Sequence, residues 1–185
     1  LKNSKDKQEK AYLLNYFLES FRGTLFRQTM FAEFEQKAHE MAAAGESMTS
    51  QSLCNIYKKL NEDYFGPDTV IDPEIQYEWE RIPHFYTPFY VYQYATGFSA
   101  AIAISRKIFN GEPGILEGYR KFLSGGCCDT PIELLKLAGV DMSHTGPVEE
   151  ALKFFEELLN EFEELVHRFR NNYTTHLSAN PIAQV

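Results

Sequence analysis

Residues 89–109, FYVYQYATGFSAAIAISRKIF, are apolar on nearly every side of a helix, and such a helix is stable in water only when other elements surround it. Small residues at Ala95, Gly97, Ser99, Ala100 and Ala101 let a neighbouring helix approach closely. The stretch predicts a buried central helix, and the rest of the chain has the periodicity to pack around it. From about Lys7 to Ala44, Leu13, Phe17, Phe21, Leu25, Phe31 and Phe34 fall on three- and four-residue spacing, interrupted at Gly23 and closed by Gly45, which reads as one long helix or two in series. Ser47 and Thr49 offer hydroxyl caps to a helix carrying Leu53, Ile56, Tyr57, Leu60 and Tyr64, which stops before Gly66-Pro67. Further helices are predicted at about 112–124, 130–138 and 147–172, the last with Pro147 in its first turn and Leu152, Phe155, Leu159, Phe162 and Leu165 along one face. No segment alternates with period two and no repeat is present, so the fold class is all-α. At 185 residues the chain can bury one core. Residues 1–172 are expected to form the helical domain and 173–185 a loosely held, flexible tail.

One segment breaks the pattern. Residues 66–88, GPDTVIDPEIQYEWERIPHFYTP, carry four prolines and no helical period of useful length, which predicts a long loop. Ordered loops of that length are often functional.

Charge and cysteine usage remove several classes of protein. A formal net charge of -8, with no basic run longer than a pair, lacks the electrostatic footprint of a nucleic-acid binder. No stretch approaches the roughly 18 consecutive apolar residues of a membrane span, so no membrane partner is expected. Cys54 and the adjacent Cys127 and Cys128 do not make the even framework of a disulfide scaffold, which points to a reducing cytoplasm. The opening LKNSKDKQEKAYLLNYF has neither Met nor the layout of a signal peptide and reads as a helix already under way. A fragment of a longer polypeptide is the expectation.

Several apparent motifs dissolve on inspection. HEMAA at His39-Glu40 has the first two letters of a zincin helix but places Ala43 where the second histidine belongs, so a solvated pair on a polar helix face is expected. Cys127-Cys128 has no partner at ligand spacing, and His39, His84, His144 and His167 share none. The acidic run EEALKFFEELLNEFEEL reads as the exposed face of the last helix.

The concentration that remains is RIPHFYTPFYVYQYATG, with His84, Tyr86, Tyr90, Tyr92 and Tyr94. His84 and Tyr86 sit on the proline-flanked loop and the others open the central helix, so several neutral donors can point together into a cleft at that junction. Phenols and an imidazole N–H suit a developing oxyanion. From the residues alone, aromatic packing with each hydroxyl on a backbone carbonyl is the plainer reading.

FRGTLFRQTMFAEFE, YFGPD, IPHFYTPFYVYQYATG and PIELLKLAGVD, in this order across roughly residues 10–165, resemble landmarks of the oligoendopeptidase F branch of the thimet oligopeptidase-like zinc metallopeptidases. The resemblance implies an all-α domain forming one wall of a deep channel. It also implies a zinc ion held by a HExxH helix and a downstream glutamate, and a zinc-dependent metalloendopeptidase hydrolysing short oligopeptides. Neither zinc element occurs in this sequence, so the metal ligands are expected in a missing upstream part of the same polypeptide, and this chain alone is expected to be inactive. The resemblance places substrate and oxyanion contacts on His84 first, then on Tyr90, Tyr92 and Tyr94 without ranking them, with Tyr86 a further substrate contact. Arg27 with Glu33 or Glu35 is expected to form a buried ion pair between helices. The competing reading is a non-catalytic helical peptide-binding or scaffold module that uses the aromatic cluster for docking.

Overall fold

The computed structural model describes Ser4 and residues 6–178, with side chains as far as His167. Among the described residues there are seven α-helices and no strand: α1 (Lys7–Phe21), α2 (Arg27–Ala43), α3 (Ser50–Phe65), α4 (Tyr92–Phe109), α5 (Ile115–Ser124), α6 (Pro131–Leu137) and α7 (Gly146–Ser178). The all-α expectation holds. Of the expected tail, residues 173–178 continue α7, and residues 179–185 lie outside the described residues.

The long N-terminal helical stretch is two helices in series. The Asp6 side chain caps α1 by accepting the Gln8 N–H at 3.0 Å, and α1 passes into α2 through a π-helical turn, Arg22–Phe26, which contains Gly23. A π turn accommodates an extra residue and so rotates the next helix about the common axis. The consequence is visible in the packing. Leu14, Leu18, Phe21 and Leu25 join a core with Ala95 and Ile102 of α4 and Ala151, Leu158 and Leu165 of α7. Beyond the turn, Met30, Phe31 and Phe34 face a second core with Tyr57, Leu60 and Val91. The hydroxyl cap of α3 is a reciprocal pair: Thr49 Oγ1 accepts the Ser52 N–H at 3.1 Å and Ser52 Oγ accepts the Thr49 N–H at 3.0 Å. Gly66, at φ +75°, ends that helix as expected.

Helix α4 is central but not enclosed. It contributes to the α1/α7 core and, through Ala100, Ala103 and Ile104, to a third core with Ala138 and Val140. A third side is open, with Gly97 and Ala101 exposed along a groove of about 560 Å³ that Tyr119, Phe122 and Leu134 close on the far side. The expectation of a helix buried all round is corrected to this extent, because no described element covers that side. Helix α5 packs tightly on the end of α6: a Cβ on Gly118 would lie 2.0 Å from the Leu137 carbonyl oxygen, so only glycine fits there. The acidic face of α7 is exposed as expected but does hold neighbours, with Glu157 bound by Arg106 of α4 at 2.8 Å and Glu161 by Lys10 of α1.

Phe21 is the keystone of the first core, fully buried, with its ring 4.9 Å from Phe98 and 5.4 Å from Phe17 and Phe155. Phe21→Ala is expected to cost about 3–5 kcal/mol, read as a lower urea midpoint at unchanged m-value. A loss below about 1 kcal/mol would mean that the three helices do not depend on this ring.

Candidate active site

The segment joining α3 to α4 carries more order than its prolines predict. Asp72 accepts the Glu74 N–H at 3.1 Å and starts a 3₁₀ helix, Pro73–Arg81, followed by a second, Pro83–Tyr86. The expected loop is therefore two short helices. The sequence signal for them is the spacing of Ile75, Trp79, Ile82 and Phe85 behind an Asp-Pro start, since those four side chains pack on the core of Phe31, Phe34 and Tyr57. The run is too short and too interrupted by proline to register as a helical period.

A buried carboxylate fastens this segment. Glu78 is only 5% exposed and accepts from the Tyr57 hydroxyl at 2.7 Å and from Arg27 and Arg81 at 2.6 Å each. Arg27 thus pairs with Glu78 and not with Glu33 or Glu35. The expected pairing fails on distance: along one helix, Glu35 lies eight residues from Arg27, about 12 Å of rise. Glu33 instead accepts from the Tyr64 hydroxyl at 3.1 Å, with Lys37 at 3.3 Å. Burial pushes the Glu78 carboxyl up, and the Tyr57 hydroxyl and the two guanidiniums outweigh it, so the acid stays below its ordinary value. Desolvation raises the Tyr57 phenol far above 10, and its bond to Glu78 adds to that rise, so it remains a donor.

The other end of the segment is held by Glu35 of α2, itself 5% exposed, whose Oε1 accepts the Phe89 N–H at 2.7 Å. Phe89 is the non-glycine residue with positive φ among those described, at +57°, in the left-handed region that large side chains avoid. The His39 ring lies 4.7 Å from the Phe89 ring, so His39 is exposed as expected but has an aromatic neighbour. Glu40 accepts from Gln36 at 2.8 Å.

Between these two anchorages the predicted residues separate. The Tyr94 hydroxyl lies 3.2 Å from His84 Nε2, the donor set by the imidazole tautomer. The Tyr90 ring stacks on His84 at 5.7 Å and meets Tyr94 edge-on at 5.6 Å. Interaction with the neighbouring Tyr90 phenol raises the Tyr94 phenol above its ordinary value. Tyr92 and Tyr86 stand apart, 50% and 82% exposed, and no ring contact or side-chain hydrogen bond joins either to the cluster. His84, Tyr90 and Tyr94 are all exposed and so open to a ligand. Sequence reasoning missed the roles of Glu35, Glu78 and Phe89, because each depends on a partner distant in the chain.

Among the described residues no three His, Cys, Asp or Glu side chains gather as a metal site, so the residues present do not fit a zinc ion. Cys54 is buried and free, and Cys127 and Cys128 are exposed and free. No described helix is long and apolar enough to cross a membrane.

The helical fold and the His84 cluster sit in a chain that belongs to peptidase family M3, whose profile matches residues 1–154. Within that family its relatives include oligoendopeptidases F. Oligopeptidase PepF of Bacillus subtilis is 53% identical over 158 residues, covering 85% of this chain and 23% of the relative. The chromosomal oligoendopeptidase F of Lactococcus lactis subsp. cremoris is 50% identical over 157 residues, covering 85% and 26%. The crystal structure of oligoendopeptidase-F from Enterococcus faecium superposes with a TM-score of 0.88 at 50% identity, over 90% of this chain and 32% of that one. The chain spans about a quarter of the length of the curated relatives it matches.

The Glu78 clamp has a testable acid signature. With the folded pKa held below 4.5, its stabilisation is complete above the unfolded value and drains away as pH falls through the folded one. Melting temperatures measured from pH 7 downward should therefore fall more steeply below about pH 4.5 for the native protein than for Glu78→Gln. Parallel curves would show that Glu78 is not the group being titrated.

Proposed function

We propose that this chain is the substrate-facing, oxyanion-binding part of a zinc-dependent metalloendopeptidase that hydrolyses short oligopeptides, and that its helices form one wall of the channel in which they are cut. One observation carries this reading: His84 meets Tyr94 at 3.2 Å beside the Tyr90 ring, in a chain of peptidase family M3. The zinc that the resemblance implies would be held by an upstream part of the same polypeptide, since no ligand set gathers among the described residues. The chemistry assigned to this chain is confined to its own donors.

Attack on a peptide carbonyl places negative charge on its oxygen, and neutral donors already aimed there stabilise that charge without reorganising. His84 supplies an imidazole N–H and Tyr94 a phenol that keeps its proton at neutral pH, its upward shift arising first from the neighbouring Tyr90 phenol. Tyr90 orients the imidazole by stacking. Tyr86 and Tyr92, exposed beside the cluster, are suited to flanking substrate contacts. A channel wall admits extended peptides and excludes folded proteins. A cytoplasmic setting suits the three free cysteines.

The test is cleavage of a quenched-fluorescent peptide by the full-length polypeptide that contains this chain. His84→Ala is expected to lower kcat about 10²–10³-fold with bound metal unchanged, and Tyr94→Phe to lower it by a smaller factor. Tyr86→Phe and Tyr92→Phe should alter kcat by no more than about threefold, because neither hydroxyl reaches the cluster. Because the Tyr94 phenol is raised above its ordinary value, any alkaline fall in rate that it contributes should lie at higher pH than for an ordinary tyrosine. Unchanged kcat in His84→Ala would remove the oxyanion role, and absence of any metal-dependent cleavage would leave the binding module.

A further inference from the structure

We propose that Glu35 is a positioning residue for this site: its buried carboxylate holds the Phe89 N–H, and through it the left-handed turn that sets Tyr90 and Tyr94 against His84. The inference rests on the peptidase reading for its effect on rate, but its structural part does not.

The geometry confines the chain on both sides of Tyr90. Before it, Phe89 takes φ +57°, a conformation that costs free energy for a side chain of this size and persists only when the surroundings enforce it. The enforcing contact is a 2.7 Å bond from the Phe89 N–H to Glu35 Oε1, a carboxylate acceptor on a residue only 5% exposed, although Phe89 itself is 53% exposed. The Phe89 ring is also gripped from α2, lying 4.7 Å from that of His39. After Tyr90, Val91 is 1% exposed in the core and accepts the Tyr94 N–H as α4 begins. Tyr90 is thus the single residue between two fixed points. Its ring direction, and with it the stacking on His84, is set by them.

No lysine or arginine pairs with Glu35 among the described residues, so the carboxylate is not kept buried to complete an ion pair. Its surroundings are mostly apolar, with Phe34, Ala38 and Phe85 lining the same small cavity, to which His39 adds one polar ring. A buried charge with a backbone N–H as its partner is costly to maintain, and the return here is a strained turn beside a candidate active site. Phe85, one residue after His84, lines that cavity too, so the region around Glu35 touches both halves of the cluster.

The experiment uses the full-length polypeptide with Glu35→Leu, Glu35→Gln, Phe89→Gly and the double variant Glu35→Leu/Phe89→Gly. Glu35→Leu should lower kcat about 10–100-fold, as a misplacement of about 1 Å does, with KM and bound metal little changed. Glu35→Gln retains a carbonyl that accepts the N–H and should keep most of kcat. In the Phe89→Gly background, Glu35→Leu should cost far less, because glycine takes the left-handed turn unaided. Equal loss in Gln and Leu would assign Glu35 to the chemistry itself and overturn the positioning role, as would an undiminished loss in the glycine background. Should the unsubstituted protein cleave no peptide, the peptidase reading falls while the structural claim is still read from the Phe89 amide in protein labelled with 15N-phenylalanine. Its proton resonance should move upfield in Glu35→Gln, as a charged acceptor becomes neutral, and its hydrogen exchange should quicken in Glu35→Leu. An amide unmoved by either substitution overturns the proposal even if Glu35→Leu folds poorly, since Glu35→Gln preserves shape.

Discussion

Taking a carboxylate out of water is costly unless nearly all of its acceptor capacity is used, and the Glu78 carboxylate meets that demand with a phenol and two guanidiniums. The donors come from α2, from α3 and from the 3₁₀ helix itself. A segment with four prolines and little regular backbone bonding has few other means of holding one position. Because Glu78 cannot remain buried without Arg27 and Tyr57, the ionic contact selects a single placement for the segment. Ile75, Trp79 and Phe85 then bury against Phe31, Phe34 and Tyr57, and His84 is carried to the start of α4.

Helix α2 is the common support. Arg27 near its start reaches Glu78, Glu35 in its middle reaches the Phe89 N–H, and His39 near its end meets the Phe89 ring. Both parts of the His84 cluster are thereby referred to one rigid element, which a site needing sub-ångström placement requires. The π turn before α2 makes this compatible with the rest of the fold. It lets residues before it serve the α1/α4/α7 core while residues after it face the segment that carries the site.

The division among the tyrosines comes from helix geometry. Tyr94 lies in the first turn of α4 and Tyr90 in the turn leading into it, where their rings meet edge-on at 5.6 Å, while Tyr92 lies roughly 200° around the helix axis from Tyr94 at about 100° per residue. That relation becomes informative only once α4 is known to begin at Tyr92, three residues after the left-handed turn at Phe89. Tyr86, two residues beyond His84 in the same short 3₁₀ helix, ends up outside the cluster with its ring in solvent.

Local chemistry was enough to determine much of this protein. Periodicity over α1 to α3, the hydroxyl cap at Thr49, the stop at Gly66 and the small residues of α4 each act within a few residues of themselves, so they can be read without a partner. His84 and its tyrosines were likewise legible as a concentration of donors at a loop-to-helix junction. Tertiary structure alone decided which carboxylate each donor would meet: Arg27 went to Glu78 across 51 positions and Glu35 to Phe89 across 54. Spacing along one helix suggests partners only within a turn or so, whereas a buried charge is satisfied by whatever the packing of distant segments brings to it.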